Sequence, residues 1–161
     1  MTTTLTVGVN TYVSLEDAES YFSGRVNSTA WNDTEDKAKL LITATNMLES
    51  FDWAGNVMSD DQELAFPRSG SYYEPQLKKS IPLESNRAKR RLLSAVCEVA
   101  LSLIESDPFV SEGTVASITV GPISLSGMKS GGTSVVNNAV VRVARPLLAE
   151  SAPSNCWWRA N

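Results

Sequence analysis

Six cations crowd into residues 78–91: Lys78, Lys79, Arg87, Lys89, Arg90 and Arg91, with Glu84 the one acid among them. Clustered ammonium and guanidinium groups attract phosphates, because each neutralised phosphate releases counterions from a nucleic acid. On a helix, Arg87, Arg90 and Arg91 share a face through i, i+3 and i+4 spacing, while Lys89 points elsewhere. Two readings stay open: a surface facing DNA or an acidic partner, and a solvated helix face. Single-strand binding usually adds aromatic side chains on which bases stack, and this helix has none. Tyr72 and Tyr73 lie close by, in a stretch that reads as a loop.

Other chemistry fails on residue type or spacing. The chain has no histidine, which removes His-dependent triads, His metal sites and the usual near-neutral general base. A phosphate-binding loop needs four residues between its glycines and a lysine directly after the second. In "GPISLSGMKS" five residues separate Gly121 from Gly127, and Met128 intervenes before Lys129. No G-x-S-x-G elbow occurs. Asp60-Asp61 and Glu35-Asp36 lack the ligand count of a calcium loop and read as solvated charge. The expectation is a non-enzyme with no catalytic residue, no metal and no cofactor.

The net charge of −4 is unevenly spread. Residues 1–66 carry 11 acids and 3 bases, whereas residues 67–91 carry 7 bases and 2 acids. Such polarity suits a subunit that docks on neighbours, or one that meets nucleic acid on one side. The 161 residues and 42% hydrophobic content fit one compact domain with a real core. No apolar run of about 18 residues is present, so no membrane-spanning helix or membrane partner is expected. "MTTTLTVGVNTYVS" lacks the basic start and apolar core of a signal peptide, which places the expected site of synthesis in a reducing cytoplasm. Cys97 falls in an apolar helical run and reads as a small buried hydrophobe; Cys156 is far from it.

These residues are positioned by elements of mostly helical period. Leu5 to Val13 reads as an extended arm or short strand. Ser14 caps a first helix, with Leu15, Ala18, Tyr21 and Phe22 on one face and Gly24 at its stop. A second helix starts near Asp33 or Thr34, carries Ala38, Leu41, Ile42, Thr45 and Leu48, and ends around Trp53-Ala54-Gly55. Residues 56–80 read as irregular. A third helix begins at Pro82 and buries Ala88, Leu92, Ala95, Val96, Val99, Leu103 and Ile104 before Asp107-Pro108 ends it. A β-hairpin is expected near 115–126, a glycine-rich linker at 126–134, and a last helix within "NNAVVRVARPLLAE". The fold class expected is mainly α: a small bundle of three to four helices with one β-hairpin and extended N- and C-terminal arms. Residues 1–150 form a single domain and 151–161 a tail.

Two features invite an interface. Trp157 and Trp158 cannot both be buried by a local hairpin or helix face, and tryptophan is a preferred interface anchor, so the tail with Arg159 is expected to dock on a partner or neighbouring subunit. In "FDWAGNVMSDDQELAFPRSG", Trp53 and Phe66 read as two apolar ends of a loop folded back on the bundle, with Gly55 as a helix stop. Arg68 either caps helix-end carbonyls or meets a neighbour's acids, and Tyr72 and Tyr73 join it as candidate partner-interface residues.

The order of "TYVSLEDAESYF", Trp31, "LITATNMLESFDWAG", "QELAFPRSG", "IPLESNRAKRRLLSAVCEVALSLI" and "SITVGPISL" resembles a family of small tailed-phage head-tail connector proteins, the adaptor or head-completion proteins. Some relatives carry the label "putative DnaT-like single-stranded DNA-binding protein". The resemblance spans roughly residues 5–150; the stretch between Phe66-Pro67-Arg68 and Ile81 is short and tyrosine-rich, and residues 126–161 match only loosely. It implies a structural virion protein made in the host cytoplasm and placed in the neck between head and tail. It further implies a cyclic ring, twelve copies in the usual case, that contacts the portal, receives the tail or further neck proteins, and passes genomic double-stranded DNA without sequence specificity. The alternative, from another class, is a DnaT-like replication accessory that binds single-stranded DNA.

Overall fold

The structure, a computed structural model, describes residues 4–105 and 138–149. Among these residues lie five α-helices, one short 3-10 helix and two two-stranded antiparallel sheets. The fold is therefore mixed α and β, and the expected mainly α bundle with one hairpin is corrected. The expected hairpin near 115–126, the 126–134 linker and the 151–161 tail lie outside the described residues.

The N-terminal arm does not run extended. Residues 6–11 close into a turn, with the Gly8 N–H donating to Thr11 O at 2.8 Å and the Asn10 side chain accepting from the Thr6 N–H. The chain then enters the core at Thr11 and Val13. Helix α1 (Leu15–Ser23) starts at Ser14, whose hydroxyl accepts from the Asp17 N–H, satisfying an otherwise orphaned donor. It buries Ala18 and Phe22 but leaves Leu15 exposed. A one-turn helix α2 (Thr29–Asn32), absent from the sequence expectation, carries the fully buried Trp31. That ring stacks on Phe22 at 4.3 Å between centroids.

Helix α3 (Lys37–Glu49) starts later and stops earlier than expected. Gly55 is not its stop, being six residues beyond its end. Gly55 instead adopts φ +73°, and a Cβ there would strike the Ser69 carbonyl oxygen and the Leu83 side chain. That close approach lets β1 (Asn56–Val57) pair with β2 (Arg68–Ser69). Trp53 and Phe66 do lie at the base of the intervening loop, edge to face at 5.1 Å, and both are buried. The Trp53 indole donates to Leu48 O at 3.0 Å. The Glu49 carboxylate accepts the Ala65 N–H and the Tyr12 hydroxyl, fastening the loop's far end.

The stretch expected to be irregular also holds a second hairpin, β3 (Ser71–Glu74) with β4 (Lys79–Pro82). Pro75 sits at the second position of its turn, which is closed by the Leu77 N–H donating to Glu74 O at 3.1 Å. Pro82 thus ends a strand instead of opening a helix. Helix α4 (Asn86–Glu105) begins after Ser85, whose hydroxyl accepts from the Ala88 N–H. Its buried stripe Ala88, Leu92, Ala95, Val96, Val99 and Ala100 packs against α3 and against α5 (Asn138–Ala144). Each large apolar side chain buried there contributes about 1.5–3 kcal/mol. Cys97 is a free, fully buried thiol, and burial pushes it up to about 12, which keeps it an unreactive thiol. A 3-10 helix (Arg145–Leu147) follows α5, begun where Pro146 prevents further α-helix.

Candidate nucleic-acid interface

The β3–β4 hairpin and the first turns of α4 bring the basic segment together. Alternation along β3 sends Tyr72 and Glu74 inward and Ser71 and Tyr73 outward. The register pairs Tyr73 with Ser80 and Ser71 with Pro82, so these four share the outer face. Behind them, Glu74 is fully buried and saturated. It accepts from Arg91 Nε at 2.8 Å and from Arg91 Nη2, from the Tyr72 hydroxyl at 3.0 Å, and from the Gln76 N–H at 3.2 Å. The Arg91 guanidinium holds the Glu74 carboxyl down at about 2 despite the opposing effect of burial, and Glu74 in turn raises Arg91. Burial, with the neighbouring Glu74, pushes the Tyr72 hydroxyl up. A planar fork on a carboxylate is the geometry in which such a pair is worth its desolvation.

The six cations therefore divide. Arg91 is half-buried and committed to Glu74. Arg87 is exposed and donates to the Gln76 side chain at 2.8 Å, which lays the hairpin turn over the start of α4. Lys78, Lys79, Lys89 and Arg90 are exposed, and none has an ion pair among the described residues. Tyr73, 52% exposed, is the aromatic on the hairpin's outer face.

Of the candidate interface residues, Tyr72 and Arg68 face their own chain. Arg68 Nε donates to Ala54 O at 2.8 Å and Nη2 to Gly55 O at 2.6 Å, so its fork clamps the turn after Trp53. Trp157, Trp158 and Arg159 lie outside the described residues. Among the described residues no group of three His, Cys, Asp or Glu side chains could hold a metal ion.

The surface has a second wall that the sequence does not announce. Residues 145–149 are fastened to the end of the α3–β1 connection: the Ala54 N–H donates to Leu147 O at 2.9 Å and the Ala149 N–H to Asp52 O at 2.8 Å. Trp53 and Leu148 form the bridge between them. Between this segment and the hairpin runs a groove of about 1000 Å³, with Ser71, Tyr73 and Ser80 on one side and Arg145, Pro146 and Leu148 on the other. The Arg145 side chain is exposed.

No curated protein and no solved structure matches the chain. A family model does match, over residues 1–159, and its description concerns single-stranded DNA, not virion assembly. That finding corrects the neck-adaptor expectation in favour of the single-stranded-DNA alternative: nothing in it supports the connector family, the twelve-membered ring or the portal and tail contacts. With nearly its whole length matched, the chain belongs to the family described as "Putative DnaT-like ssDNA binding protein".

Proposed function

We infer that this protein binds single-stranded DNA as a replication accessory, without a catalytic step of its own. One observation carries it beyond the family description: within one hairpin and the helix that follows it, Lys78, Lys79, Arg87 and Arg90 are all exposed together with the ring of Tyr73, in a chain whose net charge is −4. Cations that neutralise phosphates beside an aromatic platform for bases are the usual equipment for single strands. The acids that dominate residues 1–66 repel a polyanion, which favours approach from the basic side only.

Fluorescence anisotropy with a labelled oligothymidine tests this at several salt concentrations. Affinity is expected to fall linearly in log–log form, by a slope of about −0.7 for each phosphate neutralised on a single strand. The double variant Arg87→Ala with Arg90→Ala weakens binding and flattens the slope by about 1.4. Absence of binding at low salt defeats the proposal. Arg91 is left out of the variant because its loss unpairs Glu74 and perturbs the fold.

A further inference from the structure

We propose that the groove between the β3–β4 hairpin and residues 145–149 is a nucleotide-binding subsite for single-stranded DNA, in which Tyr73 stacks on a base and Arg145 pairs with a phosphate. The proposal rests on single-strand binding by this protein and narrows it to two side chains. Four observations point to it.

The first is rigidity beneath an exposed ring. Tyr73 is 52% exposed, yet its strand is pinned from behind by the Tyr72–Glu74–Arg91 cluster and from the side by its register with β4. A platform held in place loses little freedom when a base settles on it. The second is Arg145, exposed and without an ion pair among the described residues, on a segment fastened by two backbone hydrogen bonds to Asp52 and Ala54. The 3-10 helix that carries it packs on β3.

The third observation is charge. In a chain with 18 acids, no Asp or Glu is among the described residues lining this groove, and Arg145 is the cation there. An anion is the complementary occupant. The fourth is the remaining lining: Ser71 and Ser80 offer hydroxyls that both donate and accept, while Pro146 and Leu148 offer apolar surface to a base. Lys78, exposed in the turn of the same hairpin, lies two residues from Gln76, which accepts from exposed Arg87. In a duplex both faces of every internal base are already stacked, so an aromatic platform selects the single strand.

The test is anisotropy with a fluorescein-labelled oligothymidine of roughly 16 nucleotides, at low salt and across a salt series. Tyr73→Ala should weaken binding roughly 5- to 100-fold without changing the salt slope, and Tyr73→Phe should recover most of that loss by restoring the ring. Arg145→Ala should weaken binding and reduce the slope by about 0.7. Far-UV circular dichroism and thermal midpoints establish that the variants fold; both substituted side chains are exposed. If the wild type binds but Tyr73→Ala and Arg145→Ala bind equally well, the groove is not the site, while single-strand binding through the α4 surface stands. A wild type that binds a duplex as tightly as the single strand also overturns the stacking role. Failure of the wild type to bind any single strand removes both proposals.

Discussion

The two faces of the β3–β4 hairpin hold the same residue types in different environments. On the inner face Tyr72 is 4% exposed, its hydroxyl spent on Glu74, and that carboxylate is in turn gripped by Arg91. On the outer face Tyr73 stands half in solvent, with Arg145 across the groove. Along α4 the same division separates Arg91, committed, from Arg90, exposed. One step of strand or helix thus decides whether a tyrosine or an arginine builds the protein or is free to meet a ligand. A basic cluster counted in sequence overstates its available charge by the members that serve the fold.

The largest expected effect comes from breaking the inner face. Arg91→Ala leaves a fully buried carboxylate without its cation, which typically costs about 3–5 kcal/mol. Urea unfolding should show this as a large fall in midpoint. A loss below about 1 kcal/mol would mean that Glu74 is not held as a buried ion pair. The matching experiment on the outer face of the helix, Arg90→Ala, should change stability by less than about 0.5 kcal/mol.

Next in size is an acid limb. The folded-state Glu74 carboxyl lies at about 2, below its ordinary 4.5. A depressed carboxyl contributes stability that is complete above the unfolded value and disappears as pH falls through the folded one. The wild type should therefore lose stability between about pH 4.5 and pH 2, by about 3 kcal/mol from this group. Urea midpoints measured across that range check it, and Glu74→Gln should remove this part of the pH dependence. A variant with the same acid limb as the wild type would assign the limb to other carboxylates.

Smaller again is Tyr72→Phe, which keeps the buried ring and deletes one hydrogen bond to a charged acceptor. A loss of about 1–2 kcal/mol in thermal or urea unfolding is expected, with the Arg91 fork left in place.

The contrast between the faces also explains what could be read in the sequence. The stripe of α4 was legible because Ala88, Leu92, Ala95, Val96 and Val99 repeat at helical period, and Ser14 marks α1 because a serine hydroxyl before acids satisfies a helix N-terminus. Pro82 suits a first helical turn as well as a strand end, so the sequence pattern alone opens α4 too early, whereas Ser85 supplies the cap. The hairpin itself was hidden. "SYYE" shows no alternation of polar and apolar residues, since its inward Glu74 is solvated by Arg91, 17 residues away, and not by its neighbours. Of the candidate site, Tyr73, Arg87 and Arg90 are visible as residue types beside a basic run. Arg145 has no local signal at all: it reaches the groove only because residues 145–149 dock on Asp52–Ala54.

The smallest expected change in stability is also the one that separates the faces most sharply. Tyr73→Ala removes a ring whose outer half already meets water and whose hydroxyl has no partner among the described residues. No polar group is orphaned, and the strand keeps its backbone pairing with β4. Stability should shift by no more than about 0.5 kcal/mol, against about 1–2 for Tyr72→Phe, a far milder substitution one residue away. Parallel urea titrations of the two variants measure that difference directly. A loss for Tyr73→Ala as large as that for Tyr72→Phe would make the outer ring structural and erase the asymmetry between the faces. A near-silent Tyr73→Ala in unfolding, combined with weakened single-strand binding, would mean that an aromatic side chain is kept in solvent because its partner is not part of the protein.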